Sequence, residues 1–390
     1  LLERGAVAGG TTGAGEGNVL VSDKEPGPEL DLALLSARLW SSLAQETAFV
    51  DDSGGSGPGG FGSSGSGSGA PGSASGSGSP SGSGSGFEYE AKGGVVVASD
   101  EAGLAALESF ASAQRAAGVV AETVGGGAEL ASLEPHLSPE LAGGVYYPQD
   151  AQVQPARAAA LLVRDAVRHG ASLHTNTDVT GVTLSADGAV KGLVTSRGTL
   201  RAAWVLNAAG TWGGEVAALA GSYLPVLPRR GFVLVTEPLP KLVRHKVYAA
   251  DYVADVASSS AALQASAVVE GTAAGPVLIG ASRERVGFDR GFSLPVARLL
   301  AQRAISLFPV LASVKVMRSY LGFRPYLPDH LPAIGPDPRV PGLLHACGHE
   351  GAGIGLAPAT GHLLTQVLTG QTPDLSLFPF RPERFTGEDA

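Results

Sequence analysis

Apolar positions along the chain follow two periods, and together they predict helices that alternate with strands. Apolar residues recur every three or four positions over 28–48, 100–117, 155–169 and 295–308, which is the spacing of amphipathic helices. Ser99 is the expected N-cap of the second helix, and Gly170 follows the end of the third. Much of the chain therefore has the pattern of an α/β protein.

Short runs rich in β-branched and aromatic residues predict strands between these helices. In the first part of the chain the expected strands are 94–98, 144–150, 172–174, 179–184, 190–195 and 200–206. In the second part they are 232–236, 246–252, 265–270, 277–281 and 315–323. The second group is interrupted by one helix only, which indicates a mostly antiparallel sheet in a second domain.

Residues 53–86 consist almost entirely of glycine and serine. Such a composition buries too little apolar surface to offset the entropy of ordering, so a disordered tether is expected there. The helix that ends near Ala48 and the strand 94–98 have the character of one domain. The segment is therefore interpreted as an insertion within that domain.

Charge and cysteine content narrow the function classes. The 390 residues carry a formal net charge of −9, so there is no basic footprint for nucleic acid or an anionic membrane surface. No apolar run approaches the roughly 18 residues that a membrane helix needs. Cys347 is the single cysteine, which excludes an intrachain disulfide framework and a cysteine-based zinc site. A cytoplasmic protein without a bound metal is expected.

A glycine cluster near the end of the chain is the first candidate site. The apolar run 343–347 leads into Gly348, Gly351, Gly353 and Gly355, and helical spacing follows. Glycines let the backbone approach a flat or anionic ligand, and the N–H groups of a helix's first turn point toward it. Such turns are also often only structural, and both interpretations stay open here.

The start of the chain offers a second candidate. Glu3 follows an apolar pair, as does the acid that ends the second strand of a dinucleotide-binding unit, although a surface acid at a strand end fits equally well. In such a unit the phosphate loop lies about 20 residues earlier. We therefore expect that the beginning of the sequence is missing; if the chain did begin at Leu1, the sheet should have a gap. The glycine-rich run 9–18 is expected to be a functional or mobile loop.

Two further stretches place polar or small residues at strand ends. The strand near Leu206 runs into Asn-Ala-Ala-Gly-Thr-Trp at 207–212, which is either a ligand contact or a tight strand-to-helix turn. Arg324 ends an apolar strand beside proline turns. Its planar guanidinium suits a substrate carboxylate, while pairing with an ordinary surface acid is the alternative.

The order of these features resembles the D-amino-acid oxidase family of flavin-dependent amine oxidoreductases. That family includes glycine oxidase, sarcosine oxidase beta-type subunits, and bacterial proline, hydroxyproline and opine dehydrogenases. The resemblance implies an α/β fold, with an FAD-binding Rossmann-like domain of the glutathione-reductase type and an α+β antiparallel-sheet substrate domain. It assigns 1–52, 146–222 and 324–390 to the FAD-binding domain, 223–323 to the substrate domain, and 87–145 to a mixed region with substrate-domain elements.

The resemblance also implies roles for individual residues around FAD. The adenosine ribose would be held by Glu3, and the adenine side would be touched by the backbone of Val179. The residues implied at the pyrophosphate and flavin are Thr11, Thr12, Gly15, Gly17, Asn18, Ala208, Ala209 and Gly210, with Trp212 close by. The residues implied along the isoalloxazine ring are Gly348, Gly351, Gly353, Ile354 and Gly355, with the helix start facing the C2 carbonyl.

The chemistry that the resemblance implies is oxidation of a C–N bond by hydride transfer to flavin N5. Arg324 would clamp the carboxylate of an amino acid or secondary amine, and the imine would later hydrolyse. His349, Tyr252 and Tyr326 are candidates to orient the amine, although packing roles suit them too. Oxygen, a partner subunit or a quinone would accept the electrons. The competing hypothesis is a non-catalytic or degenerate family member that acts as a subunit or scaffold without flavin.

Overall fold

The computed structural model describes residues 1–52, 86–253 and 260–386. The tether predicted at 53–86 lies outside the described residues except for Gly86. Trp40, before that segment, packs edge to face on Phe87, after it, with ring centroids 5.7 Å apart. The described chain on the two sides therefore shares one core. Within these three ranges no helix is long and apolar enough to cross a membrane.

Seven α-helices lie wholly within the described ranges, some where the sequence predicted a helix and others between those places. They are α1 Pro28–Asp52, α2 Glu101–Ala116, α3 Ala128–Leu133, α4 Pro155–Arg168, α5 Gly213–Leu219, α6 Leu294–Leu307 and α7 Gly353–Leu368. The predicted N-cap of α2 was wrong by one residue. Asp100 is the cap, because its carboxylate accepts a hydrogen bond from the Gly103 N–H at 2.7 Å.

Sixteen strands lie in the described ranges. They are β1 Asn18–Val19, β2 Gly94–Ala98, β3 Glu122–Gly125, β4 Gly143–Tyr147, β5 Ala151–Gln152, β6 Val179–Leu184, β7 Val190–Thr195, β8 Gly198–Arg201, β9 Val205–Asn207, β10 Leu227–Thr236, β11 Lys246–Ala249, β12 Gln264–Gly271, β13 Val277–Arg283, β14 Val316–Tyr326, β15 Ala333–Pro336 and β16 Leu343–Cys347. The predicted strand 200–206 is two strands, because the chain passes there from one sheet to another.

The largest sheet has eight strands in the order β14-β10-β13-β12-β11-β2-β4-β3. Only β11 and β2 pair in parallel within it. The three valines of β2 are all buried, since both faces of the sheet are covered. Val95 and Val97 belong to the core that α6 closes, while Val96 belongs to the core of α1, α2 and α7.

The remaining strands form three smaller sheets. β9 and β16 pair in parallel, and β15 joins the other side of β16. β6, β7 and β8 form an antiparallel sheet, and β1 pairs with β5. The predicted strand 172–174 is reduced to a parallel bridge between Leu2 and His174. In the described part of the chain, no strand links this bridge to the β9–β16 pair.

Candidate functional site

A cavity of about 390 Å³ lies where the loop 11–18, the turn after β9, the end of β14 and the start of α7 meet. Its lining combines two kinds of residue. Small residues come from the loop 11–18, the β9 turn and the start of α7 with the residues just before it, and we call this group the glycine wall: Gly15, Gly17, Ala208, Gly210, Gly351 and Gly353. Charged and aromatic side chains such as Tyr252, Arg324 and Glu350 also line the cavity.

The start of α7 is held in place by α1. The Ser36 hydroxyl donates to the Gly355 carbonyl at 2.6 Å, and the Trp40 indole N–H donates to the Ile354 carbonyl at 3.1 Å. A Cβ at Gly355 would lie 2.7 Å from the Asn18 carbonyl oxygen. Gly355 therefore faces β1, and it permits a close helix–strand contact behind the cavity rather than lining the cavity itself.

A buried polar network supports the β9 turn from behind. The Asn207 side-chain amide donates to the Gly213 carbonyl at 2.8 Å and lies 3.2 Å from Nδ1 of His345. The other imidazole nitrogen of His345 lies 3.1 Å from Oδ2 of Asp337. Burial opposes ionisation of Asp337, but hydrogen bonds from His345, Arg339 and Ser222 bring its pKa below the usual value. His345 and Asp337 were not predicted from the sequence, because they carry no motif.

Cys347 packs beneath the same turn. Its side chain is fully buried and its thiol donates to the Asn207 carbonyl at 3.2 Å. Burial raises the pKa of the thiol to about 12. The Cys347 side chain thus behaves as a small packing group.

Arg324 reaches the cavity from β14. Its guanidinium donates to the Ser282 carbonyl at 2.7 Å and has no carboxylate partner among the described residues. Burial lowers the pKa of Arg324, and the nearby positive charge of Arg283 lowers it further. The side chain is a partly buried cation that lines an open space, which is the requirement for binding an anion.

Glu350 sits beside Arg324 and is already paired. One carboxylate oxygen lies 2.5 Å from the Arg229 guanidinium, and the other lies 3.0 Å from Nδ1 of His330. Glu350 and His330 both have positive φ angles, 46° and 59°. Two non-glycine residues in this conformation, in contact at a cavity edge, mark a strained and specialised position. Neither this pair nor Arg229 was predicted from the sequence.

His349 lines the cavity next to Glu350. Its Nε2 lies 3.0 Å from the Thr360 hydroxyl of α7. Burial lowers the pKa of the imidazole to about 4, so it is neutral at physiological pH. A neutral imidazole can hydrogen-bond to a ligand without adding positive charge beside Arg324.

The structure brings thirteen of the predicted site residues to the cavity. They are Thr11, Thr12, Gly15, Gly17, Asn18, Ala208, Gly210, Tyr252, Arg324, His349, Gly351, Gly353 and Ile354. Seven lie elsewhere: Glu3, Val179, Ala209, Trp212, Tyr326, Gly348 and Gly355.

Several of these outlying residues have definite contacts of their own. The Glu3 carboxylate accepts the Gly5 N–H at 2.7 Å, as an acid at a tight turn does. Trp212 stacks on Phe288 with the ring centroids 5.4 Å apart. Tyr326 packs edge to face on His330. Val179 begins β6 in the separate small sheet.

The residues present fit a flat, extended cofactor such as FAD. Gly210 has φ 55° and nothing within 4 Å of where a Cβ would stand, so the backbone there is open to close approach. The first turn of α7 directs N–H groups without helical partners toward the cavity edge at Gly353. The surface is glycine-backed and largely apolar, as a planar ring requires.

A flavoprotein oxidoreductase is the class that this fold and cavity define. The chain belongs to the FAD-dependent oxidoreductase family (DAO), because the sequence model of that family matches residues 81–367. This confirms the family, the fold class, the enzyme class and the FAD cofactor that the sequence predicted.

Individual relatives agree with that membership. Hydrogen cyanide synthase subunit HcnC of Pseudomonas protegens is 35% identical over 261 residues, which cover 66% of this chain and 58% of the relative. Glycine oxidase of Geobacillus kaustophilus is 34% identical over 262 residues, 67% of this chain and 65% of that one. The matched part thus spans about 58–65% of the length of these relatives.

Solved structures extend the likeness to almost the whole chain. The crystal structure of glycine oxidase from Geobacillus kaustophilus superposes with a TM-score of 0.80 and 26% identity, covering 99% of this chain and 92% of that one. L-proline dehydrogenase from P. horikoshii has the same fold, with a TM-score of 0.80 and 20% identity.

Proposed function

We propose that this protein oxidises the C–N bond of an amino acid or secondary amine. One observation carries the proposal: Arg324 is a partly buried cation in the cavity lining without an ion-pair partner among the described residues. A substrate carboxylate would supply that partner. The names of the relatives, glycine oxidase and mouse mitochondrial sarcosine dehydrogenase, support a small amino acid or an N-alkyl amino acid.

In this proposal the residues of the chain bind and orient rather than take protons. Arg324 holds the carboxylate, which fixes the α-carbon relative to the glycine wall. FAD, when bound, supplies the hydride acceptor. His349 is neutral, and with Tyr252 it offers hydrogen-bonding atoms to an uncharged amine. The substrate's nitrogen lone pair stabilises the developing imine, and water hydrolyses the imine afterwards.

The cofactor roles form part of the same proposal. The glycine wall would back the isoalloxazine and pyrophosphate, with Thr11, Thr12, Asn18 and Ile354 beside it. Outside the cavity, Glu3 and Val179 would serve the adenosine end, and Ala209 would lie beside the pyrophosphate with Trp212 close by. Gly348 and Gly355 would shape the loop and the helix that approach the ring. Tyr326 would act through His330. We propose that 1–52, 146–222 and 324–390 bind the cofactor and that 223–323 binds the substrate, with 87–145 as the mixed region.

The electron acceptor and the cellular location complete the proposal. The relative HcnC is named a synthase subunit, which supports a partner subunit leading to a quinone as one route, with oxygen as the other. A cytoplasmic location suits a chain whose single cysteine needs no oxidising compartment.

The test is spectroscopic. The purified protein is expected to be yellow, to release FAD on denaturation, and to lose its visible flavin absorbance when mixed anaerobically with glycine, N-methylglycine or proline. Yellow protein that no amine bleaches would refute the proposed oxidation. Colourless protein that releases no flavin would favour the scaffold hypothesis instead.

A further inference from the structure

Glu16 is a buried acid in the lining of the same cavity. It is 7% exposed, and its carboxylate has no hydrogen-bond or ion-pair partner among the described residues. A Cβ at Gly280 would overlap Oε1, so that oxygen is closed off against the backbone of β13. Oε1 is the only oxygen of this carboxylate that is cut off from solvent, so Oε2 is the atom that a ligand in the cavity can reach. A buried carboxylate without a partner is costly, unless a ligand supplies the missing donor.

Two cations act on the charge of Glu16, and one of them is already paired. Lys246 forms an ion pair with Glu270 at 2.5 Å, so its charge is shared between two acids. Glu270 repels Glu16, and Tyr320 of β14 lies close enough to be affected by the charges of both acids. Arg324 is the second cation, and the charge of Glu16 favours its protonated form. Glu16 therefore depends on Arg324 for much of its counter-charge.

Glu16 and Arg324 lie beside neighbouring points of β13. Glu16 lies against Gly280, and the Arg324 guanidinium donates to the carbonyl of Ser282, two residues further along the strand. The two side chains form no ion pair with each other, so the charged atoms are more than about 4 Å apart. Glu350 also acts on Arg324 but is already paired elsewhere. Two separated, opposite charges in one cavity suit a ligand that carries a carboxylate and an ammonium group.

The proposed oxidation starts from an uncharged amine, whereas an amino acid in neutral water carries an ammonium group. One proton therefore has to leave before the hydride is transferred. When the substrate carboxylate pairs with Arg324, that cation no longer compensates Glu16, and a proton on Glu16 is favoured. His349 is a poor acceptor, because burial lowers the pKa of its imidazole to about 4.

We propose that Glu16 accepts the ammonium proton of the bound substrate. The N–H bond breaks, an O–H bond forms on Oε2 of Glu16, and the electron pair stays on nitrogen. Arg324 and Glu16 thus bind the two charges of a zwitterion and leave a neutral amine in the cavity. This inference rests on the proposed amine oxidation and adds the step that precedes it.

A binding measurement tests the proton uptake without turnover. Acetate has the carboxylate but no amine, so its binding should leave Glu16 uncompensated and draw a proton from the solvent. Calorimetry at pH 7 in two buffers of different ionisation enthalpy should show that wild type takes up about 0.5–1 proton per acetate. Glu16→Gln should bind acetate without that uptake, and Glu25→Gln, at an exposed acid, should behave as wild type. No uptake by wild type, or the same uptake by Glu16→Gln, overturns the proposal.

The pH dependence of turnover tests the same step with an amine. At pH 7 the kcat/KM of Glu16→Gln for N-methylglycine should be about 100-fold below that of wild type, with flavin content unchanged. The deficit should shrink as pH rises to 9, because neutral amine then becomes available in solution, and Glu16→Asp should restore part of the activity. A deficit that stays constant from pH 7 to 9 indicates a structural role and overturns the proposal.

The two measurements also separate this inference from the proposed oxidation. If no amine bleaches the flavin, the oxidation is refuted, while the acetate titration still decides whether Glu16 takes up a proton. If Glu16→Gln does not fold, Glu16→Ala replaces it under the same criteria, and absence of proton uptake by wild type alone is enough to overturn the proposal.

Discussion

The residues that line the cavity fall into two groups that are built in different ways. The glycine wall comes from short stretches at 15–17, 208–210 and 351–353, whose small residues leave the backbone open to the cavity. The second group, here called the arginine wall, consists of Arg324 and Glu350, and Glu350 is paired with Arg229. A backbone surface suits a cofactor of constant shape, whereas a side-chain surface can be adapted to different substrates. Substitutions in the two groups should therefore have separable effects.

Gly355→Val should have the largest effect, because it acts on the support of the glycine wall. A Cβ there would lie 2.7 Å from the Asn18 carbonyl, and both backbones are fixed by their elements. We expect a loss of about 3 kcal/mol in the free energy of unfolding, together with lower flavin content. Urea unfolding and flavin released per protein measure the two quantities.

Gly361→Ala, in the same helix, is the matched control for this change. Nothing lies within 4 Å of its Cβ position, so it should be neutral or stabilising by up to about 1 kcal/mol. Equal destabilisation by the two variants would contradict the close helix–strand contact.

Arg324→Ala should act on the arginine wall alone. The loss of a charge-assisted bond to a carboxylate is expected to raise KM about 10- to 100-fold, with flavin content unchanged. Steady-state kinetics and the visible spectrum of the same samples measure both. An unchanged KM would remove Arg324 from the clamp role.

His349 lies between the two walls and should make stability depend on pH. Its folded pKa, about 4, is below the ordinary value of 6.5. Its contribution to the free energy of unfolding is therefore complete above pH 6.5 and is lost as pH falls toward 4. His349→Gln should lose about 1–2 kcal/mol less of its free energy of unfolding than wild type over that range. Unfolding at several pH values between 4 and 7 measures the difference. If the free energy of unfolding changed with pH in the same way for wild type and His349→Gln, burial of a neutral His349 would be refuted.

Asp150 is fully buried and should give an effect of similar size and opposite sign. It accepts the Val21 and Ser22 N–H groups, and burial raises its pKa to about 7. The folded state thus holds a proton that the unfolded chain releases near pH 4. Wild type should lose about 1–2 kcal/mol in its free energy of unfolding relative to Asp150→Asn as pH rises from 4 through 7. A constant difference between the two proteins over that range would contradict it.

The same contrast explains how far the sequence predicted the site. The glycine wall was predictable because its residues follow strands in short runs, as in 205–213 and 343–355. Arg324 was predictable because prolines surround it. The pair of Glu350 and His330 was not, since their contact arises only when the loop after β14 and the loop before α7 come together.

Local rules also explain the smaller errors in the fold. The periodicity identified the long helices, but it could not show that the run 200–206 crosses between two sheets. Residues 172–174 have the composition of a strand, yet only His174 forms a bridge. Strand pairing depends on the partner as much as on the segment itself.

The most direct test of two separable groups of cavity residues is one anaerobic titration of wild type, Gly355→Val and Arg324→Ala with N-methylglycine. Flavin per protein and the amine concentration that half-reduces the flavin are read from the same spectra. Gly355→Val should lose flavin, while Arg324→Ala should keep the wild-type flavin content and need far more amine. Loss of flavin in Arg324→Ala, or half-reduction of Arg324→Ala at the wild-type amine concentration, would contradict that separation.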